Sequence, residues 1–206
     1  MSPIPVNLAI EDELSETVLR KLLDHINREY FVGTVYGRGG FGYLRRTVPG
    51  WNVGARGTPF VLLTDLDRYP CAPALIQEWL TVPRHPNLLF RIAVREVEAW
   101  LLAGRVNIAR FLSVPEATVP AVCDSLDDPK RQLVKLARRS RSREIRQRIA
   151  PRKRSTATQG PDYNGCLGEF VKHSWNVDVA GAASPSLART LHRLATFTPY
   201  WPAANG

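Results

Sequence analysis

The chain has 206 residues, of which 44% are apolar and 23% charged, the composition of one large globular domain or of one domain with an extension. No apolar run approaches the roughly 20 residues that span a bilayer, and the amino-terminal residues lack the basic and apolar regions of a signal peptide. Three widely spaced cysteines argue against a disulfide framework or a zinc site. We therefore expect a cytoplasmic protein that does not contact a membrane.

The first predicted unit is a strand, an acidic turn and a helix. Residues 6–10 are apolar enough for a strand, which ends in Glu11, Asp12 and Glu13. Residues 16–26 then carry apolar side chains at helical spacing, with acids near the start that complement the helix dipole.

A glycine-rich run follows a second predicted strand over residues 30–36. It reads Gly-Arg-Gly-Gly-Phe-Gly over residues 37–42. Glycines allow backbone N–H groups to approach a ligand, and Arg38 and Arg45 offer guanidinium groups to phosphate oxygens. The run matches neither a Walker loop nor a dinucleotide fingerprint, and a plain flexible loop is an equal alternative.

The most informative stretch is the apolar run over residues 59–63, which ends in Thr64-Asp65-Leu66-Asp67. A short, wholly apolar run bounded by turn residues is typical of a strand buried on both faces of a parallel sheet. Ligands of such sheets bind beyond the carboxyl ends of the strands. Two carboxylates there would repel each other without a cation, and Mg²⁺ (or Mn²⁺) prefers oxygen ligands. A surface turn is the alternative, because Asp is common where strands end.

A helix over residues 71–80 and an apolar strand over 88–94 come next, and this strand leads into Glu96 and Glu98. Two positions apart, these acids cannot share one helix face. We expect one of them to reach a metal while the other pairs with Arg91 or Arg95 or holds a water. Core positions are predicted at Leu8, Leu62, Leu63 and Ile92.

The net charge of +9 comes entirely from residues 130–154, which carry twelve Lys or Arg and one acid, Glu144. Such a stretch is the electrostatic footprint of a polyanion, because Lys and Arg release counterions condensed on phosphates. We expect nucleic acid, DNA or RNA, to bind Lys130, Arg131, Arg138, Arg139, Arg141 and Arg143. A solvated helix face or a patch for an acidic protein is the alternative. Helices are predicted from Pro129, over 141–149, over 163–175 and over 185–197.

Three apolar strands that each end in acids resemble the TOPRIM fold. In particular, residues 4–104 resemble the small TOPRIM-like proteins encoded beside ATPases in bacterial defence islands, relatives of the nuclease half of OLD-type enzymes. The resemblance implies a Mg²⁺-dependent nuclease that acts in phage defence with an AAA/ABC-type ATPase partner. It implies catalytic roles for Glu11, Asp65, Asp67, Glu96 and Glu98, with Glu11, Asp65, Asp67 and Glu98 as metal ligands.

One departure from the family pattern is Asp12, which stands where a glycine commonly follows the first glutamate. It leaves open whether Glu11 or Glu13 faces the site, and it favours the alternative of a non-catalytic subunit that binds nucleic acid or an ATPase. The runs Asp128-Pro129-Lys130 and Gly160-Pro161-Asp162-Tyr163-Asn164 also resemble family elements, without a role that chemistry assigns.

We therefore expect an α/β protein. Residues 1–104 would form a TOPRIM/Rossmann-like, mainly parallel sheet flanked by helices, and residues 105–206 a helical, basic extension packed on it. The oligomeric state stays open.

Overall fold

The computed structural model describes residues 3–37 and 39–201. Its first half alternates strands and helices: β1 (Ile4–Ile10), α1 (Glu13–His25), β2 (Tyr30–Gly37), α2 (Gly40–Gly54), β3 (Phe60–Asp65), α3 (Ala72–Trp79), β4 (Leu88–Ala93) and α4 (Val97–Ala103). The second half is helical: α5 (Arg105–Phe111), a 3₁₀ turn (Glu116–Thr118), α6 (Pro129–Arg138), α7 (Arg143–Ile149), α8 (Tyr163–His173), α9 (Val177–Ala183) and α10 (Pro185–Ala195). None of the helices within these described ranges is both long and apolar enough to cross a membrane.

The four strands form one parallel sheet in the order β2-β1-β3-β4. β1 is central and pairs with β2 on one side and β3 on the other, so that Ile10 lies opposite both Gly37 and Leu63. The α/β class, with a parallel sheet flanked by helices and further helices at the carboxyl end, is confirmed.

The predicted core is also confirmed. Leu8, Leu62 and Leu63 have no exposed surface, and Ile92 is buried at 6% exposure. These side chains are covered because crossover helices lie on both faces of a parallel sheet, and this is why their strands are continuously apolar rather than alternating.

The glycine-rich run is where the predicted local structure is wrong. Residues from Gly40 onward are not a loop but the start of α2, a helix of 15 residues that also contains Pro49. Poor intrinsic propensity is overridden by packing, because Leu44, Val48 and Trp51 recur at helical spacing and are buried. Arg38 lies outside the described residues. The short helices α5 and α9 were also not predicted.

The structure divides into two compact units. The first comprises Met1–Ile92 and Thr190–Gly206, and the second Ala93–Arg189. The first unit contains most of the sheet, and the second contains α4 to α9. The sequence-based boundary after residue 104 stays a prediction.

A buried amide joins the two chain segments of the first unit. Asn87 is fully buried, and its side-chain nitrogen donates to the carbonyl oxygens of Ala55 (3.1 Å) and Tyr200 (2.8 Å). The backbone N–H of Tyr200 donates in return to the side-chain oxygen (Oδ1) of Asn87 at 2.7 Å. Two hydrogen bonds between the Asn87 side chain and Tyr200 thus hold the carboxyl-terminal segment, and a third joins the same side chain to Ala55.

Replacing Leu63 by Ala should lower the free energy of unfolding by about 2–5 kcal/mol, because it leaves a cavity in the middle of the sheet. Urea denaturation followed by circular dichroism measures the loss. Val82→Ala is the matched control, since Val82 is 54% exposed, and its effect should stay within about 0.5 kcal/mol. Equal effects of the two substitutions would contradict the burial of β3.

Candidate functional site

Two acids meet at the carboxyl ends of neighbouring strands. Glu11 directly follows β1, Asp65 is the last residue of β3, and the two strands are parallel partners. The Oε1 atom of Glu11 accepts hydrogen bonds from the Thr64 hydroxyl and, at 3.0 Å, from the Asp65 N–H. The Glu11 side chain is therefore held across the end of β3.

The electrostatics of this edge disfavour a bare carboxylate. Burial is the largest cause of a raised Glu11 pKa, and the negative charges of Asp67 and Asp12 raise that pKa further, while the hydrogen bonds from Thr64 and Asp65 oppose the shift. A cation at this edge would offset both the burial and the repulsion. Hard oxygen donors of this kind fit Mg²⁺.

Asp65 is half-buried, whereas Asp67 is exposed, with a backbone φ of 48° in the left-handed region. Asp and Asn tolerate this conformation better than most other residues. Within residues 3–37 and 39–201, no group of three or more His, Cys, Asp or Glu side chains is close enough to hold a metal ion.

Asp12 caps the helix that follows the site. Its carboxylate accepts a hydrogen bond at 2.8 Å from the N–H of Ser15, three residues ahead, and so satisfies an amide at the start of α1. Glu13 is exposed in the first turn of α1. Glu11, rather than Glu13, is thus the glutamate that contacts β3.

The glycine run places the start of α2 beside Glu11. A side chain at Gly37 would bring a Cβ within 2.2 Å of the Ile10 carbonyl oxygen, so only glycine allows β2 to end this close to β1. The N–H of Gly40 donates to the Glu11 carbonyl oxygen at 3.3 Å. Further along α2, Arg45 forms an exposed ion pair with Glu78 at 2.9 Å.

The later acids, Glu96 and Glu98, belong to the second unit. Glu96 directly precedes α4 and accepts a hydrogen bond at 2.7 Å from the N–H of Lys130. Glu98 is buried, accepts from the Tyr163 hydroxyl at 2.8 Å and lies 3.9 Å from Lys130 Nζ. The same Nζ is 5.2 Å from the centre of the Tyr163 ring. Glu98 and Tyr163 thus form a polar contact inside this unit.

The carboxyl group of Glu96 has a strongly raised pKa. Burial, followed by repulsion from Glu98, raises its pKa from 4.5 to about 7, and the hydrogen bond from Lys130 only partly opposes this.

The basic stretch faces outward, as predicted. On α6 the apolar residues Leu133, Val134, Leu136 and Ala137 are buried, while Arg131, Lys135 and Arg138 are exposed and Lys130 is half-buried. Two cavities are lined by these cations. One, of about 590 Å³, includes Lys130, Arg131, Lys135 and Arg138; the other, of about 1010 Å³, includes Arg143, Arg146, Arg148, Arg152 and Lys153.

Three residues at these sites were missed by sequence reasoning. The role of Thr64 could have been inferred from its place beside Asp65, because a hydroxyl inside an acidic motif can donate to a carboxylate. The role of Lys135 could have been inferred from its helical spacing to Arg131 and Arg138. The contact of Tyr163 with Glu98, 65 positions apart, left no local signal.

Comparison with known proteins assigns the chain to no family. Neither a protein-family model, nor a curated protein, nor a solved structure matches the chain.

We expect Glu96 to make stability fall as the pH rises. Its folded-state pKa of about 7 lies above its ordinary value of 4.5, so the native state binds more protons than the unfolded chain between these values, and the contribution present below pH 4.5 is lost as the pH rises to 7. Glu96→Gln should therefore raise stability at pH 8 relative to the unmodified chain, on the order of 1 kcal/mol after discounting for solvent screening. Thermal melts between pH 4.5 and 8 measure the effect.

The control is Glu116→Gln, which removes one charge from an exposed position of the same unit. It should leave the pH profile unchanged. If Glu96→Gln destabilises the protein at pH 8, its carboxylate is stabilised in the fold, and the argument from burial is wrong.

Proposed function

We propose that the protein is a Mg²⁺-dependent nuclease that hydrolyses phosphodiester bonds in DNA or RNA, with Glu11, Asp65 and Asp67 as the metal-binding and catalytic acids. The observation that carries the proposal is the position of Glu11 and Asp65. They lie at the carboxyl ends of β1 and β3, which are adjacent in the sheet. After β1 the chain crosses to β2 on one side of this pair, and after β3 it crosses to β4 on the other side. This is the switch point at which open α/β sheets bind their ligands.

Glu11 and Asp65 would hold the Mg²⁺ ion, and the exposed side chain of Asp67 would have to turn toward it, since no three acids of the described residues are close enough to hold a metal as they stand. The ion would stabilise phosphate charge as a Lewis acid and lower the pKa of bound water. The chain's own residues prepare the acids for this role. The Thr64 hydroxyl and the Asp65 N–H fix one Glu11 oxygen, and burial together with the charges of Asp67 and Asp12 raises the pKa of Glu11, an effect that a cation would oppose. The nearby start of α2 adds a partial positive charge that favours a phosphate.

The basic stretch supplies the contacts that hold the substrate. Exposed Lys and Arg side chains on α6 and α7 bind phosphate oxygens without reading base sequence. The described residues that line the two basic cavities include no aromatic side chain, so base stacking is not part of this binding mode. The resemblance to TOPRIM-like defence proteins supports a role in phage defence beside an ATPase.

The second candidate is a non-catalytic subunit that binds nucleic acid or an ATPase. It is favoured by the structural roles of two acids: Asp12 caps α1, and Glu98 is buried against Tyr163. In that case Glu11, Asp65 and Asp67 bind at most a structural ion, and the basic stretch carries the function.

Cleavage and metal binding should disappear together when the acids of β3 are neutralised. We expect the unmodified chain to cleave plasmid DNA or single-stranded RNA in Mg²⁺ or Mn²⁺. The metal should also raise the thermal midpoint, because it binds the native state and adds about 2.7 kcal/mol to the free energy of unfolding at 100 times its Kd. Asp65→Asn combined with Asp67→Asn should abolish both, because amides keep the shape of these side chains but not their charge.

Asp127→Asn combined with Glu116→Gln removes the same charge from exposed positions elsewhere and should preserve both effects. A full metal response in the Asp65/Asp67 variant would place the metal elsewhere. Metal binding without cleavage, with and without the product of the neighbouring gene, would favour the non-catalytic subunit.

Nucleic-acid affinity should depend steeply on salt. On duplex DNA the log–log slope is roughly −0.9 for each phosphate neutralised. Replacing Arg138, Arg139, Arg141 and Arg143 by Gln should flatten this slope and weaken all sequences alike. Fluorescence anisotropy over a range of salt concentrations measures both effects.

The matched control also removes four exposed positive charges, but outside residues 130–154: Arg56, Arg110, Lys172 and Arg189, each replaced by Gln. This variant should keep most of the slope. Equal flattening in both variants would show that net charge alone, rather than the basic stretch, attracts nucleic acid.

A further inference from the structure

The cavity of about 590 Å³ in the second unit has a basic wall built by one face of α6. Arg131, Lys135 and Arg138 line it, and their spacing of four and three residues places them on the same side of the helix. All three side chains are exposed. Over these seven residues α6 rises about 10 Å, so the cations form a short row rather than a long track.

One end of the same cavity carries two acids beside Lys130, whose Nζ lies 3.9 Å from the buried Glu98. Glu96 and Asp128 line it at the start of α6, and each is fixed by a backbone hydrogen bond of 2.7 Å, from Lys130 N–H to Glu96 and from Arg131 N–H to Asp128. A carboxylate offers about four lone-pair positions, so an oxygen that accepts one hydrogen bond keeps further acceptor capacity. The cavity thus presents cations along its wall and hydroxyl acceptors at its end.

The other basic cavity lacks this polarity. Of the described residues around it, none is an acid, and four are Arg with Lys153 beside them. Arg148 in that cavity is already bound to Asp162 at 2.7 Å and to Glu169 at 2.6 Å. A continuous nucleic-acid backbone suits this uniformly basic surface. At the first cavity, the carboxyl groups at the end repel the next phosphate.

We propose that the cavity along α6 binds a ribonucleotide, with its phosphate at Lys135 and Arg138 and its ribose hydroxyls at Glu96 and Asp128. Acidic side chains recognise ribose hydroxyls in dinucleotide sites for the same reason, because they accept hydrogen bonds from them. The volume lies in the range of small-molecule sites. Val134 and Ala157 also line the cavity and offer the base apolar contact area, with the Thr158 hydroxyl beside them.

This chemistry has two sources, a free ribonucleotide and the ribose end of an RNA strand. The proposal refines the proposed function, because it assigns a specific ligand to part of the basic stretch, but it requires neither metal nor cleavage. If AMP binds but the protein does not cleave nucleic acid, only the proposed nuclease activity is rejected. If the protein cleaves nucleic acid but does not bind AMP, only the proposed ribonucleotide site is rejected.

The test is calorimetric titration of the full chain, without divalent metal, with AMP, 2′-deoxy-AMP and inorganic phosphate. We expect AMP to bind about tenfold more tightly than 2′-deoxy-AMP, since a hydrogen bond to a charged group is lost, and phosphate to bind most weakly. Equal binding of AMP and 2′-deoxy-AMP, phosphate binding as tight as that of AMP, or no binding of AMP overturns the proposal.

Two variants separate the ends of the cavity. Lys135→Gln combined with Arg138→Gln should weaken all three ligands at least tenfold. At pH 8, Glu96→Gln combined with Asp128→Asn should reduce the preference for AMP over 2′-deoxy-AMP and strengthen phosphate binding, because two carboxylates are replaced by neutral amides. Asn caps a helix as well as Asp does, so α6 should stay folded. An unchanged preference in this second variant overturns the role of the acids.

The matched control is Arg152→Gln combined with Lys153→Gln, which removes two exposed cations of the other cavity. Its AMP affinity should stay within about twofold, since surface charges at a distance are screened by salt, and a larger loss overturns the assignment to α6. RNA that ends in a ribose, compared with the same strand ending in a deoxyribose, identifies the source. A tenfold preference assigns the RNA end, and equal binding of the two strands together with tight AMP binding assigns the free nucleotide.

Discussion

The candidate metal site depends on the parallel pairing of β1 with β3. Because Ile10 lies opposite Leu63 in that register, the residues that follow each strand are brought to one edge of the sheet, and Glu11 can accept hydrogen bonds from both Thr64 and Asp65. Because side chains alternate between the two covered faces of the sheet, a shift by one residue would move every β3 side chain to the opposite face and disrupt the packing on both. Burial of the apolar side chains therefore determines the position of the acids.

The features that sequence reasoning identified are those that local pattern encodes. Continuous apolar runs predicted the buried strands, and the rule for the carboxyl ends of parallel strands predicted that Glu11 and Asp65 would share one edge. α2 was missed because Gly40, Gly42, Pro49 and Gly54 all have low helix propensity. The helix is stabilised instead by three buried apolar side chains that recur at helical spacing. The partner of Glu98 was missed because a hydrogen bond to Tyr163 depends on how α8 packs, and no local rule describes that.

The acids of this chain serve three different physical purposes. Asp12 and Asp128 accept hydrogen bonds from helix N-terminal amides, which any small polar residue can do. Glu98 is buried with a hydroxyl and a lysine as neighbours. Glu11 is held at a sheet edge where its charge is disfavoured. Acidic residues that follow one another in sequence are thus distinguished only by their surroundings, and a motif alone does not separate a ligand from a cap.

The Asn87 side chain has a consequence for how the protein is made. It binds Tyr200, 113 positions later, and the first unit is formed from two segments of chain with the second unit inserted between them. During synthesis, at about 5–20 residues per second, the hydrogen bonds between Asn87 and Tyr200 can form only several seconds after Asn87 is made, when the helical insertion already has all of its own residues. The order of translation therefore lets the second unit complete its packing before the first unit, whose two chain segments flank it in sequence, can complete its own.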